Sequence, residues 1–474
     1  MIIGMKFNQI IIAAYLLMLI CLSPFALHTF DTYYYWDWSR HLDFSYYDGS
    51  PMIAYCIRLS TLLFGDTLFA LSFVSIGLSA LTAYVLYKTA RVFLNKDSSY
   101  IALAGWLFSP LVTLGLLKQT TYDNPVNLFW MLTLYYTVNY IQREKPIQIY
   151  GVGVMIGLML LSKYTGCVLA LALLVFLAMT PYRRLFKSIH LYGALGLSAL
   201  IFSPVLWWNY QHDWISFTYQ LSSHQCTTHV DSSIYTMLRS FVLFFIPTLN
   251  FMLLPMLWYA WHYLKCGKPI STKTHHILFL CFVVCNVVMF FYLFASIKVN
   301  LRYVWLCPFL ITSALLSGYW FQCHTQRRLF SIILACYFLI SVIIKLNDVF
   351  FFKEPSNLVY LKQIQEFNHA HPEQTSTVLT SDWMTARILF FLKNKPLIYT
   401  LKCEWTDSQN QYALWSEYLL DDIKNNPKKD YLVINLFDSK QCLAHYFSHC
   451  YRMLVDANSH PGKQSELFIY KCHA

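Results

Sequence analysis

Charge is what this chain has least of. Only 12% of its 474 residues are Asp, Glu, Lys or Arg, about half the share of an ordinary soluble domain. With 57% hydrophobic residues and a mean hydropathy of +0.44, it has too little polar side chain to cover a soluble globule. Acidic residues are the scarcer kind, 24 against 35 Lys and Arg, for a formal charge of +11. No basic groove or soluble basic module accompanies that excess, which excludes a nucleic-acid binder. No small-residue cleavage site follows the first apolar run, so residues 8–27 are read as a retained span and not a removable leader. No Cys or His spacing resembles a zinc site. Most of the 14 cysteines, such as Cys167, Cys281, Cys285, Cys307 and Cys336, lie in or beside apolar runs, where a thiol acts as a small apolar filler. Cys403, Cys442, Cys450 and Cys472 lie in the tail and could form a disulfide in an oxidising compartment, in a pairing the spacing does not reveal.

What the chain does have is long apolar runs. Eleven are long enough to be membrane helices, at about 9–27, 67–93, 99–117, 124–142, 147–161, 164–180, 188–208, 236–261, 275–295, 303–321 and 329–346. The fold class is thus a polytopic α-helical membrane protein. The fifth and sixth runs, parted by "SKYT", are counted as two, because the basic clusters before and after them belong on one side. Lys6, Lys88/Arg91/Lys96, Arg143/Lys145, Arg183/Arg184/Lys187, Lys265/Lys268/Lys273 and Arg327/Arg328 fall at alternate span ends and mark the cytoplasmic face. The other loops then lie outside, including the large first outer loop 28–66. Residues 1–346 form the transmembrane domain. In 347–474 polarity rises, and β-like runs ("STVLT", "PLIYT", "DYLVINLF", "ELFIYKC") alternate with helix-like segments ("NLVYLKQIQEFNHAH", "TARILFFLKN"), as expected of a small extracytoplasmic α/β domain.

The scarce carboxylates are not spread evenly. "FDTYYYWDWSRHLDFSYYDGSPM", residues 30–52, holds four Asp, five Tyr and two Trp directly after the first span. Asp31 is read either as the cap of a helix through "TYYYWDWSRHL" or as a functional carboxylate at the interface. Asp37, Asp43 and Asp48 have the setting of cap and turn residues. Asp123, before Asn124 and Pro125, is likewise a cap or a site residue. Lys163, His212, Asp213, Lys298 and Arg302 share the outer face. His212 and Asp213 are read as acceptor or metal ligands, or as an interfacial anchor; Lys163 binds substrate or snorkels to headgroups. Trp207, Trp208 and Trp214 are read as belt residues. A secondary transporter would place charges at the midplane, where this chain has almost none.

Five ordered blocks carry a resemblance: "FDTYYYWDWSRHLDFSYYDGSPMIAYCIRLSTLLFGDT", "YDNPVNLFWMLTLYY", "GLMLLSKYTG", "FSPVLWWNYQHDWISFTYQL" and "KVNLRYVW". Over about residues 25–320 the chain resembles the bacterial dolichyl-phosphate-mannose protein mannosyltransferase-like glycosyltransferases, which include relatives of the lipid A aminoarabinose transferase. Thr32 stands where that family has Glu, and Gly49 and Ser50 replace His and Pro. The resemblance implies a C-type glycosyltransferase fold in a bacterial inner membrane. It implies an inverting transfer from a polyprenyl-phosphate-linked sugar donor to a lipid or protein acceptor on the extracytoplasmic side. Asp31 and Asp123 are then the catalytic carboxylates, Asp31 as base. Lys163, Lys298 and Arg302 attend the leaving phosphate, and Tyr47, Asp48, His212 and Asp213 complete the substrate-binding set. No cofactor is assigned, and a divalent cation stays an open alternative. An inactive relative is the other reading.

Overall fold

The computed structural model describes residues 2–22, 28–221, 271–296, 303–323 and 327–347, and in the C-terminal part five strands with Ala386, Phe390, Gln411 and Phe447. Its residues divide into two compact units. The first comprises 1–35, 39–45 and 49–351; the second joins Trp36–Trp38 and Tyr46–Asp48 to residues 352–474.

The first unit is helical. Its elements are α1 (Ile2–Leu22), α2 (Phe30–Arg40), α3 (Met52–Phe64), α4 (Leu68–Phe93), α5 (Lys96–Leu107), α6 (Pro110–Val112), α7 (Asp123–Arg143), α8 (Pro146–Ser162), α9 (Cys167–Met179), α10 (Ile189–Gln211), α11 (Ile215–Leu221), α12 (Thr272–Ser296), α13 (Cys307–Cys323) and α14 (Arg327–Leu346). Local chemistry sets the breaks. Gly65, at φ 68°, closes α3 in a conformation that glycine adopts readily. Thr67 then caps α4 by accepting from the Ala70 amide, and Asn95 caps α5 by accepting from Ser98. Pro110 and Pro146 sit at helix starts, where the missing N–H costs nothing. The stretch 28–66, expected to be a large first outer loop, thus holds two helices, α2 and α3.

Packing follows from small residues and from polar groups satisfied within their own helix. A Cβ on Gly153 would lie 2.2 Å from the Ala194 carbonyl oxygen, and one on Gly157 would lie 2.8 Å from Ile201 Cβ, so α8 and α10 touch backbone to backbone through a small-xxx-small pair. α7 carries Asn127, Thr133, Thr137 and Asn139, each bonded to the carbonyl four residues back. Those bonds let a polar helix lie buried against α4, α8 and α13. Trp106, Met131, Leu134, Val138, Leu310 and Leu315 are fully buried in the apolar core.

Among the described residues four helices are long and apolar enough to cross a membrane, and up to six if each bent pair is one span. The runs expected at 9–27, 147–161 and 329–346 correspond to shorter apolar helices, Ile12–Leu22, Pro146–Ser162 and Leu334–Leu346. The run at 236–261 lies outside the described residues. Eleven therefore remains a reading of the sequence. The fifth and sixth runs are two helices, broken at Lys163, whose backbone is extended.

The second unit holds a five-stranded sheet, order β2-β1-β3-β5-β4. Its strands are β1 (Thr377–Leu379), β2 (Leu397–Tyr399), β3 (Asp430–Asn435), β4 (His449–Met453) and β5 (Phe468–His473). β2, β1 and β3 run parallel, β5 and β4 antiparallel to their neighbours. Cys450 and Cys472 face each other in register and form a disulfide. β1, β2, β3 and β5 fall on the four β-like runs; β4 falls on none. The two helix-like segments lie largely outside the described residues, as do Cys403 and Cys442. Within the same unit Trp36 meets Phe390 edge-on at 5.0 Å, Trp38 stacks on Tyr46 at 4.1 Å, and the Tyr47 amide donates to Gln411 Oε1 at 2.6 Å.

Candidate functional site

Asp31 occupies the first turn of α2, where its charge complements the positive end of the helix dipole. It is half-buried. Thr32, beside it, is fully buried, and its hydroxyl accepts the Thr120 amide at 3.0 Å. Thr29 donates to Gln119 Oε1 at 3.3 Å. These two bonds tie the start of α2 to the loop that leads into Asp123. Thr32, which stands where a Glu is expected, is therefore a structural tie, a role its short hydroxyl fits in a site closed to water.

That loop is itself pinned. Thr120 donates to the Leu71 carbonyl at 2.6 Å, and Asn124 reaches back to accept from the Thr121 amide at 2.8 Å and to donate to Leu116 at 2.7 Å. Asp123 is the first residue of α7, and Tyr122 occupies the cap position without a capping side chain, so the cap reading of Asp123 and Asn124 does not hold. Asp123 instead meets Lys163, Nζ to Oδ1 at 2.6 Å, with the Asp123 side chain 6% and the Lys163 side chain 13% exposed. The ammonium sits 4.4 Å from the Tyr122 ring centre and 5.3 Å from that of Trp305. Tyr35 closes on Tyr122 edge-on at 5.3 Å. The break between α8 and α9 is what carries Lys163 there, so it does not snorkel. Among the described residues Asp123 is its hydrogen-bond acceptor, which leaves donors on the ammonium for a ligand.

Two basic groups at this end escaped the sequence reading. Lys345, buried in the last turn of α14, donates to the Leu117 carbonyl, just before Lys118. His28 is buried, with Nε2 within 3.0 Å of the Ser72 hydroxyl and 3.3 Å of the Leu68 carbonyl. Burial first, and the Lys345 charge with it, bring its pKa down to about 4, so the ring is neutral at pH 7. A signal existed: on the orientation expected from the basic clusters, a lysine at this end of a span runs against the positive-inside rule, and the aliphatic run around Lys345 hid it.

His212 belongs to a separate arrangement. It ends α10 with Nδ1 donating to the Trp208 carbonyl at 2.8 Å, and its ring stacks on Trp208 at 3.9 Å. The Trp208 indole donates to Asp43 Oδ2 at 2.8 Å. Trp208 is buried and Asp43 holds it, so the belt reading of Trp208 is corrected, while Asp43 also accepts the Phe44 amide at 2.7 Å as a turn residue does; Trp207 and Trp214 are exposed. Tyr55 donates to the Asp43 carbonyl, and burial with the Asp43 charge pushes its phenol up to about 12. Asp213 is exposed at φ 52°. Tyr47 and Asp48 form a turn that groups with the second unit. Lys298 and Arg302 lie outside the described residues. Among the described residues no three His, Cys, Asp or Glu side chains gather closely enough to hold a metal ion.

Asp123, Lys163 and Trp208 all fall inside a stretch with a known relationship. Residues 48–208 match the dolichyl-phosphate-mannose-protein mannosyltransferase family. A curated relative, the lipid A galacturonosyltransferase RgtD of Rhizobium johnstonii, is 28% identical over 186 residues. That match covers 38% of this chain and spans 38% of the relative's length. ArnT from Cupriavidus metallidurans has the same fold: the apo form aligns with TM-score 0.69 at 11% identity over 99% of this chain and 98% of its own. The form bound to undecaprenyl phosphate gives 0.70 at 12% identity over 98% of both. The Archaeoglobus fulgidus oligosaccharyltransferase is more distant, with TM-score 0.51 at 13% identity over 93% of this chain and 71% of its own. The stretch that matches the mannosyltransferase family thus contains Asp123 and Lys163, and Asp31 precedes it.

Proposed function

We propose that the chain is an inverting glycosyltransferase that moves a sugar from a polyprenyl-phosphate carrier to an acceptor at the outer face of a bacterial inner membrane. One observation carries this reading. Thr32 and Thr29 bond the turn bearing Asp31 to the loop that opens on the buried Asp123–Lys163 pair, so both carboxylates stand at one end of the bundle. Asp31 takes the proton of the acceptor hydroxyl or amine as that group attacks the anomeric carbon. The bond from that carbon to the phosphate oxygen breaks, and the phosphate keeps the electron pair. Lys163 faces the charge that develops there, in a setting dry enough to make its help large. Asp123 acts through Lys163 as a positioning residue, and Lys298 and Arg302 are assigned to the same phosphate from the sequence alone.

Orientation and acceptor complete the proposal. The Cys450–Cys472 disulfide fits an oxidising compartment, which supports placing the tail outside. Lipid A is the favoured acceptor because RgtD is named for it. Mass spectrometry of envelope lipids and proteins from a deletion strain tests this. Lipid A should lose one glycosyl group; a protein that loses it instead would move the acceptor class, and unchanged lipids and proteins would refute the activity.

A further inference from the structure

The end of the bundle opposite Asp123 holds a cavity that the transfer reaction does not use. It opens where the last turns of α4 and α7 lie side by side, has a volume of about 500 Å³, and is lined by Lys88, Arg91, Tyr135, Asn139, Gln142 and Arg143. The positive-inside rule accounts for cations at these helix ends. It does not account for three of them converging on one cavity with no carboxylate in its wall. Among the described residues no acidic side chain pairs with Lys88, Arg91 or Arg143; Glu144, next in the chain, is held by Arg184. Arg91 is fixed by donating to the Leu94 carbonyl at 3.0 Å, which leaves most of its fork available. Lys273 adds a cation nearby, bonded to the Gln142 carbonyl.

The surface leading to the cavity identifies the ligand. Leu81, Tyr84, Lys88 and Arg91 follow one another at helical spacing on one face of α4 and are all exposed. Two apolar side chains at membrane depth thus run into two cations at the helix end, the order in which a phospholipid presents its acyl chain and its phosphate. α7 is about 31 Å long at 1.5 Å per residue, so the cavity lies one bilayer core from Asp123, at headgroup depth. We propose that it binds the phosphodiester headgroup of an anionic phospholipid in the leaflet on that side.

The full chain in neutral detergent, probed by native mass spectrometry, provides the test. Phosphatidylglycerol should be retained, while phosphatidylcholine of the same chain length should not. Each cation at such a surface contributes about five-fold, so Lys88→Gln/Arg91→Gln/Arg143→Gln should weaken phosphatidylglycerol binding about 100-fold. Lys145→Gln/Arg183→Gln/Lys187→Gln removes the same charge from the same end outside the cavity and should leave binding unchanged. All six residues are exposed, so both variants should fold. Undiminished binding in the cavity variant, or an equal loss in the control, would overturn the site. Inorganic phosphate that competes as well as the lipid would show a free-anion site and overturn the lipid assignment.

Discussion

α7 is bracketed by two ion pairs of the same kind, each joining residues 40 positions apart. Asp123–Lys163 at its start is buried, with side chains 6% and 13% exposed; Glu144–Arg184 at its end is open, at 44% and 59%. The difference shows that environment, and not pairing, decides what a charge does. In water the Glu144–Arg184 attraction is screened and offset by side-chain entropy. In the dry site each charge depends on the other, because removing one strands its partner. Under the proposed function, the site for a charged leaving group needs the second setting; the exposed pair at the other end of α7 needs only the first.

Breaking the buried pair should have the largest effect. Lys163→Met leaves Asp123 uncompensated and should cost about 3 to 5 kcal/mol in thermal unfolding of the detergent-solubilised protein. Adding Asp123→Asn should restore most of that, and a simple sum of the single effects would contradict the coupling. Acid comes next. The folded His28 pKa is depressed to about 4 from an ordinary 6.5. Its neutral form is favoured, so stability is whole above pH 6.5, falls as pH drops, and is down by about 3 kcal/mol below pH 4. His28→Asn should flatten that part of the profile. Gly153→Ala drives a Cβ into the Ala194 carbonyl and should cost about 2 kcal/mol by loosening α8 from α10. Smallest of all, Glu144→Gln should leave the melting curve where it was.

The same contrast explains how much was legible beforehand. The helix through Asp31, the break at "SKYT" and four of the five strands follow local patterns, and each appears where its pattern lies. The sequence marks Asp123 as a carboxylate at a span start, but it offers Lys163 only as a phosphate ligand or a snorkelling lysine, since nothing nearby in the chain announces a pair. Asp43–Trp208 spans 165 residues and Lys345–Leu117 spans 228. Contacts of that separation leave no trace in periodicity. β4, "HCYRM", has too few alternating apolar residues to read as a strand, and its pairing with β5 supplies what its own sequence lacks.

The central claim is that Asp31 is the base, and Asp31→Asn tests it most directly. Asn keeps the size of the side chain and its fit at a helix start but cannot take a proton. Transfer from a labelled polyprenyl-phosphate sugar should be followed in reconstituted membranes beside a separate measurement of donor binding. The account predicts transfer lowered by about 10² to 10⁴ with donor affinity and melting temperature unchanged. Full transfer by Asp31→Asn would contradict it, leaving the residue a helix-end charge and nothing more.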